Sequence, residues 1–218
     1  MRLVIATRNA HKVEEIRAIL GADFEYITLR DLPGAPEAVE DADTFEGNAA
    51  KKAATLASWL SSQNQAHTLV LADDSGLEVV ALNGAPGVHS ARFAALDDPT
   101  FAPQNSPDRA NNKKLLRLLA KVTEPKRTAR FRCALALIAV PTSPASVDEL
   151  VAKPRFFSGA CEGRIAFAPG GSGGFGYDPL FIPVDHERSF AELGENVKNH
   201  MSHRARALEQ LRRSLAGR

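Results

Sequence analysis

The longest apolar run of the chain, from Arg130 to Val140, is the feature that most constrains its fold. Its length and composition predict a central β-strand, which the segment starting at Pro141 ends. The segment from Arg155 to Ile165 alternates in the manner of a strand and is predicted to be the antiparallel partner of that central strand. A chain built around such a hairpin needs helices or further strands packed against the sheet.

Shorter strand-like runs alternate with helical patterns through the rest of the chain. Apolar residues at helical spacing predict one helix that Gly21 ends and a second helix that Asp43 or Thr44 caps. The other predicted elements are strands from Leu3 to Thr7, Thr68 to Ala72, Glu78 to Leu82 and Leu180 to Ile182, helices from Asn111 to Lys121 and after Ser202, and loops at 31–43 and 97–110. This mixture predicts an α/β protein with a mixed sheet.

Length and charge limit the classes of protein to consider. The 218 residues allow one large domain, or one domain with two lobes around a cleft. A net charge of +1 argues against a nucleic-acid partner, and no apolar stretch approaches the roughly 20 residues that span a membrane. Cys133 and Cys161 lie far apart and are interpreted as reduced thiols. We therefore expect a cytoplasmic protein that binds neither membrane nor nucleic acid.

The loop between the first strand and the first helix is rich in polar groups. It consists of Thr7, Arg8, Asn9, Ala10, His11 and Lys12. A helix N-terminus has free N–H groups and a positive dipole end, so cations are disfavoured there unless an anion neutralises them. The loop is consistent with a phosphate site or with a solvated surface turn.

Two adjacent carboxylates, Asp73 and Asp74, follow the apolar run that ends at Ala72. Ligand sites in α/β sheets gather at the carboxyl ends of strands. Neighbouring carboxylates repel each other unless a cation lies between or beside them, and Mg²⁺ is usually held by one or two carboxylates together with substrate phosphates. The alternative interpretation is an Asp-rich turn.

A glycine cluster from Gly170 to Pro179 formally contains the pattern G-x-G-x-x-G. A dinucleotide-binding motif needs a helix directly after the last glycine, and Pro179 disfavours one here, so that interpretation is rejected. Glycines nevertheless allow close approach of the backbone to a ligand. Phe175 and Tyr177 could stack on a base and Asp178 could accept a hydrogen bond from it, although a flexible loop has the same composition.

Cations occur again near the start of the last predicted helix, where Lys198 precedes His203 and Arg204. Arginine suits bidentate recognition of carbonyl or phosphate oxygens, but isolated cations are also common at protein surfaces. The sequence has no Walker A loop, no G-x-S-x-G elbow and no histidine spacing typical of a zinc site.

These segments, in this order, resemble the inosine triphosphate pyrophosphatase family, also called the Ham1-like or non-canonical purine NTP pyrophosphatases. The matching stretches cover nearly the whole chain. They are 6–12, 44–49, 72–77, 84–93, 173–179 and 202–204.

The resemblance implies a fold and an activity that the residue patterns alone do not. The fold would be a single domain over 1–218, an elongated α/β structure with a mixed twisted sheet, flanking helices and two lobes around a deep central cleft. The protein would be a homodimer. It would hydrolyse ITP, dITP or XTP to the monophosphate and pyrophosphate with Mg²⁺, and so remove deaminated purines from the nucleotide pool.

The resemblance also implies roles for individual residues. Asp74 would be the catalytic carboxylate and a metal ligand, with Asp73 assisting it, and Glu40 would be the second metal ligand, with Glu37 and Asp41 as alternatives. The expected substrate contacts are Thr7, Arg8, Asn9, Ala10, His11 and Lys12 for the triphosphate, Ser75, then Phe175, Gly176, Tyr177 and Asp178 for the base, and Lys198, His203 and Arg204 for base and phosphates.

Two features of this sequence depart from the family pattern. Gly47 stands where an acidic residue is frequent, and the stretch 97–110 is longer than usual. Two other functions remain open at this point. One is a related pyrophosphatase that acts on modified pyrimidine nucleotides, and the other is a non-catalytic nucleotide-binding protein.

Overall fold

The computed structural model describes residues 1–97 and 105–216. The elements are β1 (Arg2–Ile5), α1 (Ala10–Leu20), β2 (Glu25–Thr28), α2 (Phe45–Ser62), β3 (Thr68–Val79), α3 (Asp108–Leu118), β4 (Thr128–Ala139), α4 (Val147–Val151), β5 (Arg155–Ile165), β6 (Phe181–Pro183), α5 (Phe190–Leu193), α6 (Glu195–Met201) and α7 (His203–Ala216). Short 3₁₀ segments lie at Val80–Leu82, Gly87–Arg92, Ala94–Asp97 and Glu124–Lys126.

Six strands form one sheet in the order β2-β1-β3-β4-β5-β6. β1 pairs with both β2 and β3 in the parallel sense, and β5 pairs with β6 in the antiparallel sense. The sheet is therefore mixed, with helices distributed along the chain, as the sequence predicts. The predicted pairing of the 155–165 segment with the long apolar strand is confirmed as a neighbour relation between β4 and β5.

The chain divides into two compact units. Unit 1 comprises 1–74, 133–159 and 206–218, and unit 2 comprises 75–132 and 160–205. Within unit 1, buried residues form two apolar clusters. One contains Val70 and Ala72 with the small residues of α2, and the other contains Leu71 with the apolar faces of α1 and α7.

β3 is one continuous strand from Thr68 to Val79. The sequence predicted two strands, from Thr68 to Ala72 and from Glu78 to Leu82, and the predicted break between them is wrong. Asp73 and Asp74 take part in the strand because both side chains find buried partners there, which removes the reason for a solvated turn. The predicted strand from 78 to 82 ends at Val79, and Val80–Leu82 is a 3₁₀ segment.

Unit 2 is built around a third apolar cluster. It gathers Leu77 and Val79 of β3, Leu115 of α3 and a group of aromatic side chains around Phe181. Phe131 and Phe181 pack with ring centroids 4.6 Å apart. This cluster lies directly under the segment that connects β5 to β6, because Tyr177 belongs to it.

Several predicted boundaries are refined by side-chain capping. Of the two candidate caps of α2, Asp43 and Thr44, the cap is Thr44, because its hydroxyl accepts a hydrogen bond from the Gly47 N–H at 3.0 Å. Ser202 caps α7 by accepting from the Ala205 N–H at 3.1 Å, as predicted. α3 begins at Asp108 and not at Asn111, so the predicted loop at 97–110 is too long at its end. Its residues 98–104 lie outside the described residues.

The short strand β2 and the helices α4 to α6 have no counterpart among the predicted elements, because each is too short to show a periodic pattern of apolar residues.

None of the helices in the described parts of the chain is both long enough and apolar enough to cross a membrane.

Candidate active site

In unit 1, Asp73 lies just past the end of β1 and is held from two sides. The last register pair between the strands joins Ile5 to Leu71, so Asp73 extends beyond it toward the loop that follows β1. Lys12 donates from Nζ to Asp73 Oδ1 at 2.5 Å, and the Cys133 thiol donates to Oδ2 at 3.3 Å. Asp73 is 1% exposed, so its charge is balanced by Lys12 inside the protein.

The loop between β1 and α1 has the geometry of a helix start. Asn9 caps α1, and its Oδ1 accepts from the Lys12 N–H at 3.2 Å. The Thr7 hydroxyl accepts from the Asn9 N–H at 3.2 Å. Lys12 reaches back to Asp73, whereas Arg8 and His11 are exposed and pair with Glu37 and Glu14. The ion pair with Asp73 therefore compensates the unfavourable position of the Lys12 charge in the first turn of α1.

The hydrogen bonds of the Asp74 carboxylate go to α2. Lys52 donates from Nζ to Asp74 Oδ1 at 2.7 Å, and Asn48 donates from Nδ2 to Oδ2 at 3.3 Å. Asn48 and Lys52 are four residues apart, so they share one face of the helix. Successive side chains of a strand point to opposite faces, which separates Asp74 from Asp73 and gives each carboxylate its own lysine.

The same lysine also reaches Glu40. Its Nζ lies 3.3 Å from Glu40 Oε1, so two carboxylates converge on one ammonium group. The alternatives for the second metal ligand are both exposed and pair elsewhere, since Glu37 pairs with Arg8 and Asp41 pairs with Lys51. Of the three acidic candidates, Glu40 is the one that shares a partner with Asp74.

Burial and charge act against each other at this cluster. Burial raises the pKa of the Asp74 carboxyl above its ordinary value, although Lys52 and Lys12 pull it downward. Burial alone would lower the pKa of the Lys52 ammonium, but Asp74 and Glu40 outweigh burial and that pKa is raised. The charges on Lys52 and its two carboxylates therefore depend on one another.

The donor chemistry of this cluster fits a hard divalent cation. Asp74 and Glu40 offer carboxylate oxygens around a position already occupied by a positive charge, and magnesium prefers one or two carboxylates with water or phosphate completing the shell. Over 1–97 and 105–216, no group of three or more His, Cys, Asp or Glu side chains could hold a metal by itself. A cation here would therefore need oxygen ligands from a substrate or from water.

In unit 2, the end of the glycine cluster forms a tight turn around Asp178. The Asp178 carboxylate accepts from Lys198 Nζ at 2.6 Å and from the Phe175 N–H at 2.9 Å through the same oxygen, Oδ2. Lys198 Nζ also lies 4.2 Å from the centroid of the Phe175 ring. Gly174 has φ +72°, and a Cβ there would lie 2.5 Å from Asp178 Oδ2, so glycine is required for this turn.

Arg204 and His203 occupy the first turn of α7, as predicted. Arg204 is 1% exposed and donates from Nη2 to Ser75 Oγ at 3.3 Å, and its guanidinium lies 5.9 Å from the Phe175 ring centroid. The His203 ring stacks on Phe131 with centroids 4.8 Å apart and planes inclined by 15°. A buried arginine at a positive helix end, beside an aromatic ring, is typical of a site for an electron-rich ligand group.

The chain matches the model of the Ham1 family over residues 3–214. The chain belongs to the Ham1 family. This confirms the resemblance that the sequence motifs indicated.

The similar curated proteins of this Ham1 family chain have the same name, dITP/XTP pyrophosphatase. A dITP/XTP pyrophosphatase of Shouchella clausii is 45% identical over 99% of this chain and 96% of its own length. A dITP/XTP pyrophosphatase of Geobacter sulfurreducens is 46% identical over 97% of this chain and 94% of its own length. The solved structure of a Ham1 protein from Coxiella burnetii matches with a TM-score of 0.79 and 36% identity over 100% of both chains.

The Ham1 family structure brings some of the predicted site residues together. In unit 1, Lys12 meets Asp73, and Glu40 meets Asp74 through Lys52. In unit 2, the ring and backbone of Phe175 lie among Asp178, Lys198 and Arg204, and Arg204 also reaches Ser75. Tyr177, by contrast, is 4% exposed, and its hydroxyl donates to the Ser90 carbonyl at 2.9 Å.

Two residues of the cluster in this Ham1 family chain were missed from the sequence. Asn48 and Lys52 lie beside the apolar face of α2, and Asn48 is fully buried. Asn48 also accepts from the Ala42 N–H at 2.9 Å, which ties the loop carrying Glu40 to the helix. The available signal was polar residues at helical spacing next to small buried alanines, where packing alone favours apolar side chains.

Proposed function

We propose that this Ham1 family protein hydrolyses ITP, dITP and XTP to the nucleoside monophosphate and pyrophosphate and so removes deaminated purines from the nucleotide pool. The observation that carries the proposal is the buried Asp74, which shares the Lys52 ammonium with Glu40. A carboxylate in this setting can bind a cation and can accept a proton. The relatives named dITP/XTP pyrophosphatases support the choice of substrate.

We propose that Asp74 and Glu40 hold a magnesium ion. Bound Mg²⁺ would neutralise charge on the phosphate oxygens and so lower the barrier to attack on phosphorus. Asp74 accepts a proton from the attacking water. The water oxygen forms a bond to the α-phosphorus while the bond between that phosphorus and the bridging oxygen to the β-phosphate breaks. Pyrophosphate leaves with that oxygen.

The loop that starts α1 stabilises the charge of the triphosphate. The free N–H groups of the helix start and the ammonium of Lys12 present positive charge to the leaving pyrophosphate. Asp73 keeps Lys12 extended along the loop through the contact at 2.5 Å. Groups held in place in this way cost little reorganisation when charge develops during the reaction.

The purine base is recognised in unit 2. Phe175 provides the stacking face, since Tyr177 is buried in the apolar cluster. Arg204 or His203 donates to the 6-oxo group of hypoxanthine or xanthine. Adenine has an amine at that position, so its binding would leave a buried donor unpaired, at a cost of about 1–3 kcal/mol.

We also propose that the protein acts in the cytoplasm as a homodimer and binds no nucleic acid. The net charge of +1 supports the absence of a polyanion partner, and the two cysteines, which form no disulfide, support a reducing compartment. The resemblance to the family supports the dimer. Light scattering of the purified protein should give twice the 23.5 kDa chain mass, and a monomer mass would contradict the dimer.

Comparison of nucleotide substrates tests the proposed activity. With Mg²⁺ present, pyrophosphate release from ITP and XTP should exceed release from ATP about tenfold or more, because of the unpaired donor that adenine leaves. Release from dUTP or dTTP should be slower still. Fastest turnover of a pyrimidine nucleotide would point instead to the related pyrimidine pyrophosphatases. Binding of ITP without any pyrophosphate release would indicate a nucleotide-binding protein.

Loss of Glu40 should weaken the response to magnesium. We expect Glu40→Gln to raise the Mg²⁺ concentration for half-maximal activity about tenfold or more, since one carboxylate ligand is lost. Glu37→Gln and Asp41→Asn are the matched variants, because both side chains are exposed and pair with other residues. Titration of pyrophosphate release against Mg²⁺ measures all three. If this Mg²⁺ concentration is unchanged in Glu40→Gln but raised in Asp41→Asn, the second metal ligand is Asp41 and not Glu40.

A further inference from the structure

We propose that Asp108 and Asn112 of α3 are positioning residues that hold the base-binding turn at Gly176 in its active shape. The proposal rests on the proposed function, since it concerns how Phe175 is presented to a purine. Neither side chain is expected to contact the substrate. They act through the backbone of the turn.

Both side chains form hydrogen bonds to Gly176 from the same face of α3. The Gly176 N–H donates to Asp108 Oδ2 at 2.6 Å, and the Gly176 carbonyl accepts from Asn112 Nδ2 at 3.0 Å. Asp108 and Asn112 are four residues apart, so they are neighbours on α3. Both backbone polar groups of Gly176 are thus satisfied by one helix.

These two bonds fix the peptide planes on either side of Gly176. The N–H belongs to the peptide group shared with Phe175, and the carbonyl belongs to the peptide group shared with Tyr177. Gly176 has φ +62°, a conformation that side chains other than glycine rarely adopt, although a Cβ there would meet nothing within 4 Å. The requirement at this position is therefore the backbone conformation, and the two side chains of α3 hold that conformation.

Other contacts hold the turn together with α3. Asp178 holds the Phe175 N–H, and the Ser90 carbonyl holds the Tyr177 hydroxyl. The Asp178 N–H also donates to the Phe175 carbonyl at 3.2 Å, so Asp108 and Asp178 together hold the peptide group between Phe175 and Gly176. The peptide group between Gly176 and Tyr177 is held by Asn112. Phe175, whose ring lies by Lys198, directly precedes this glycine.

α3 is itself a firm support. Lys114 donates to the Phe93 carbonyl at 2.6 Å, and Asn111 donates to the Ala91 carbonyl at 3.1 Å and accepts from the Ala94 N–H at 2.8 Å. Because these hydrogen bonds fix the position of α3, the helix can hold the turn in one orientation. Side chains locked in this way are what holds a binding group in a productive geometry.

The decisive variant is Asp108→Ala, tested by steady-state hydrolysis of ITP. We expect KM for ITP to rise about tenfold with kcat within about twofold of the wild type, because a hydrogen bond to a charged acceptor is lost from the base-binding turn and not from the reacting groups. Asn112→Ala removes a neutral bond and should raise KM about threefold. Asn112→Asp should be worse than Asn112→Ala, since a carboxylate would face the Gly176 carbonyl.

A conservative variant separates positioning from a general effect on the helix. Asp108 is an acidic residue in the first turn of α3, so its loss could simply destabilise the helix. Asp108→Asn keeps an oxygen that accepts from the Gly176 N–H but loses the charge. We expect it to recover KM to within about threefold of the wild type. Asp97→Ala is the matched control, because Asp97 lies in the 3₁₀ segment Ala94–Asp97, pairs with Lys114 and Arg117 of α3 and does not contact the turn.

Inorganic tripolyphosphate provides a probe without a base. Its inhibition constant against ITP hydrolysis should be the same in Asp108→Ala and in the wild type, because the phosphate-binding groups lie in unit 1. An equal weakening of tripolyphosphate and ITP, or wild-type KM in Asp108→Ala, would overturn the inference. If Asp108→Asn and Asp97→Ala both raise KM as Asp108→Ala does, the effect belongs to the helix and the inference fails. Absence of ITP hydrolysis by the wild type would instead refute the proposed function.

Discussion

Replacing Asp74 by asparagine should lower kcat for ITP hydrolysis about a thousandfold while the protein remains folded. General base catalysis alone contributes about 10²–10⁴-fold, and asparagine can neither accept the proton nor supply a charged metal ligand. The protein should still fold. Burial raises the pKa of this carboxyl and so opposes its ionised form, and Lys52 keeps Glu40 as an ionic partner when asparagine replaces Asp74. The amide oxygen can still accept from Asn48.

The control for this variant is Asp97→Asn. Asp97 is an exposed carboxylate that pairs with Lys114 and Arg117, and its replacement should leave kcat within about twofold of the wild type. Pyrophosphate release under saturating ITP and Mg²⁺ measures both variants, and thermal unfolding checks that each is folded. Turnover near the wild-type rate in a folded Asp74→Asn protein would refute the assignment of Asp74.

Replacing Lys52 by methionine should lower both stability and activity, and magnesium should restore much of the stability. Without the ammonium group, Asp74 and Glu40 lose their common partner, and breaking a buried ion pair costs about 3 kcal/mol, less here because Glu40 is partly exposed. We expect a fall in Tm of about 5 °C or more. We expect kcat to fall about a hundredfold, because Asp74 is no longer held in place.

Mg²⁺ should raise the Tm of Lys52→Met more than it raises the Tm of the wild type. A divalent cation would lie between two carboxylates that otherwise repel each other, and ligand binding to the folded state adds stability. Lys51→Met is the matched control, because the adjacent Lys51 pairs with the exposed Asp41, and ion pairs at the surface contribute little to stability. Equal Tm values and equal magnesium responses for the two variants would contradict the role assigned to Lys52.

The elements that the sequence predicted well are those with a clear period or a distinct cap. The strand from 155 to 165 is confirmed at both ends, and α1 ends at Gly21 as predicted. Ser202 was identified as a cap from its place before an amphipathic pattern, which is a local signal. Such features depend on interactions within a few residues, so the sequence contains them directly.

The failures occurred where distant residues decide the local structure. The predicted strand ended before Asp73 and Asp74, and a ligand site and an Asp-rich turn both remained open for them, because the sequence does not show which distant residues pair with them. Lys12 and Lys52 supply those partners from 61 and 22 residues away. Once both charges are paired inside the protein, an extended strand through them is no longer unfavourable.

The sequence by itself determined that this chain forms a mixed α/β fold, that acidic and basic groups gather at particular strand ends and helix starts, and that it resembles the Ham1 family. Those conclusions depend on periodicity, capping and motif order, all of which are local or are read along the chain. Only the tertiary structure decided which hydrogen-bond partners each of the adjacent carboxylates has. The alternation of a strand sends Asp73 toward Lys12 and Asp74 toward Lys52 and Glu40. The packing of α1 and α2 on the sheet therefore assigns the two aspartates their separate surroundings.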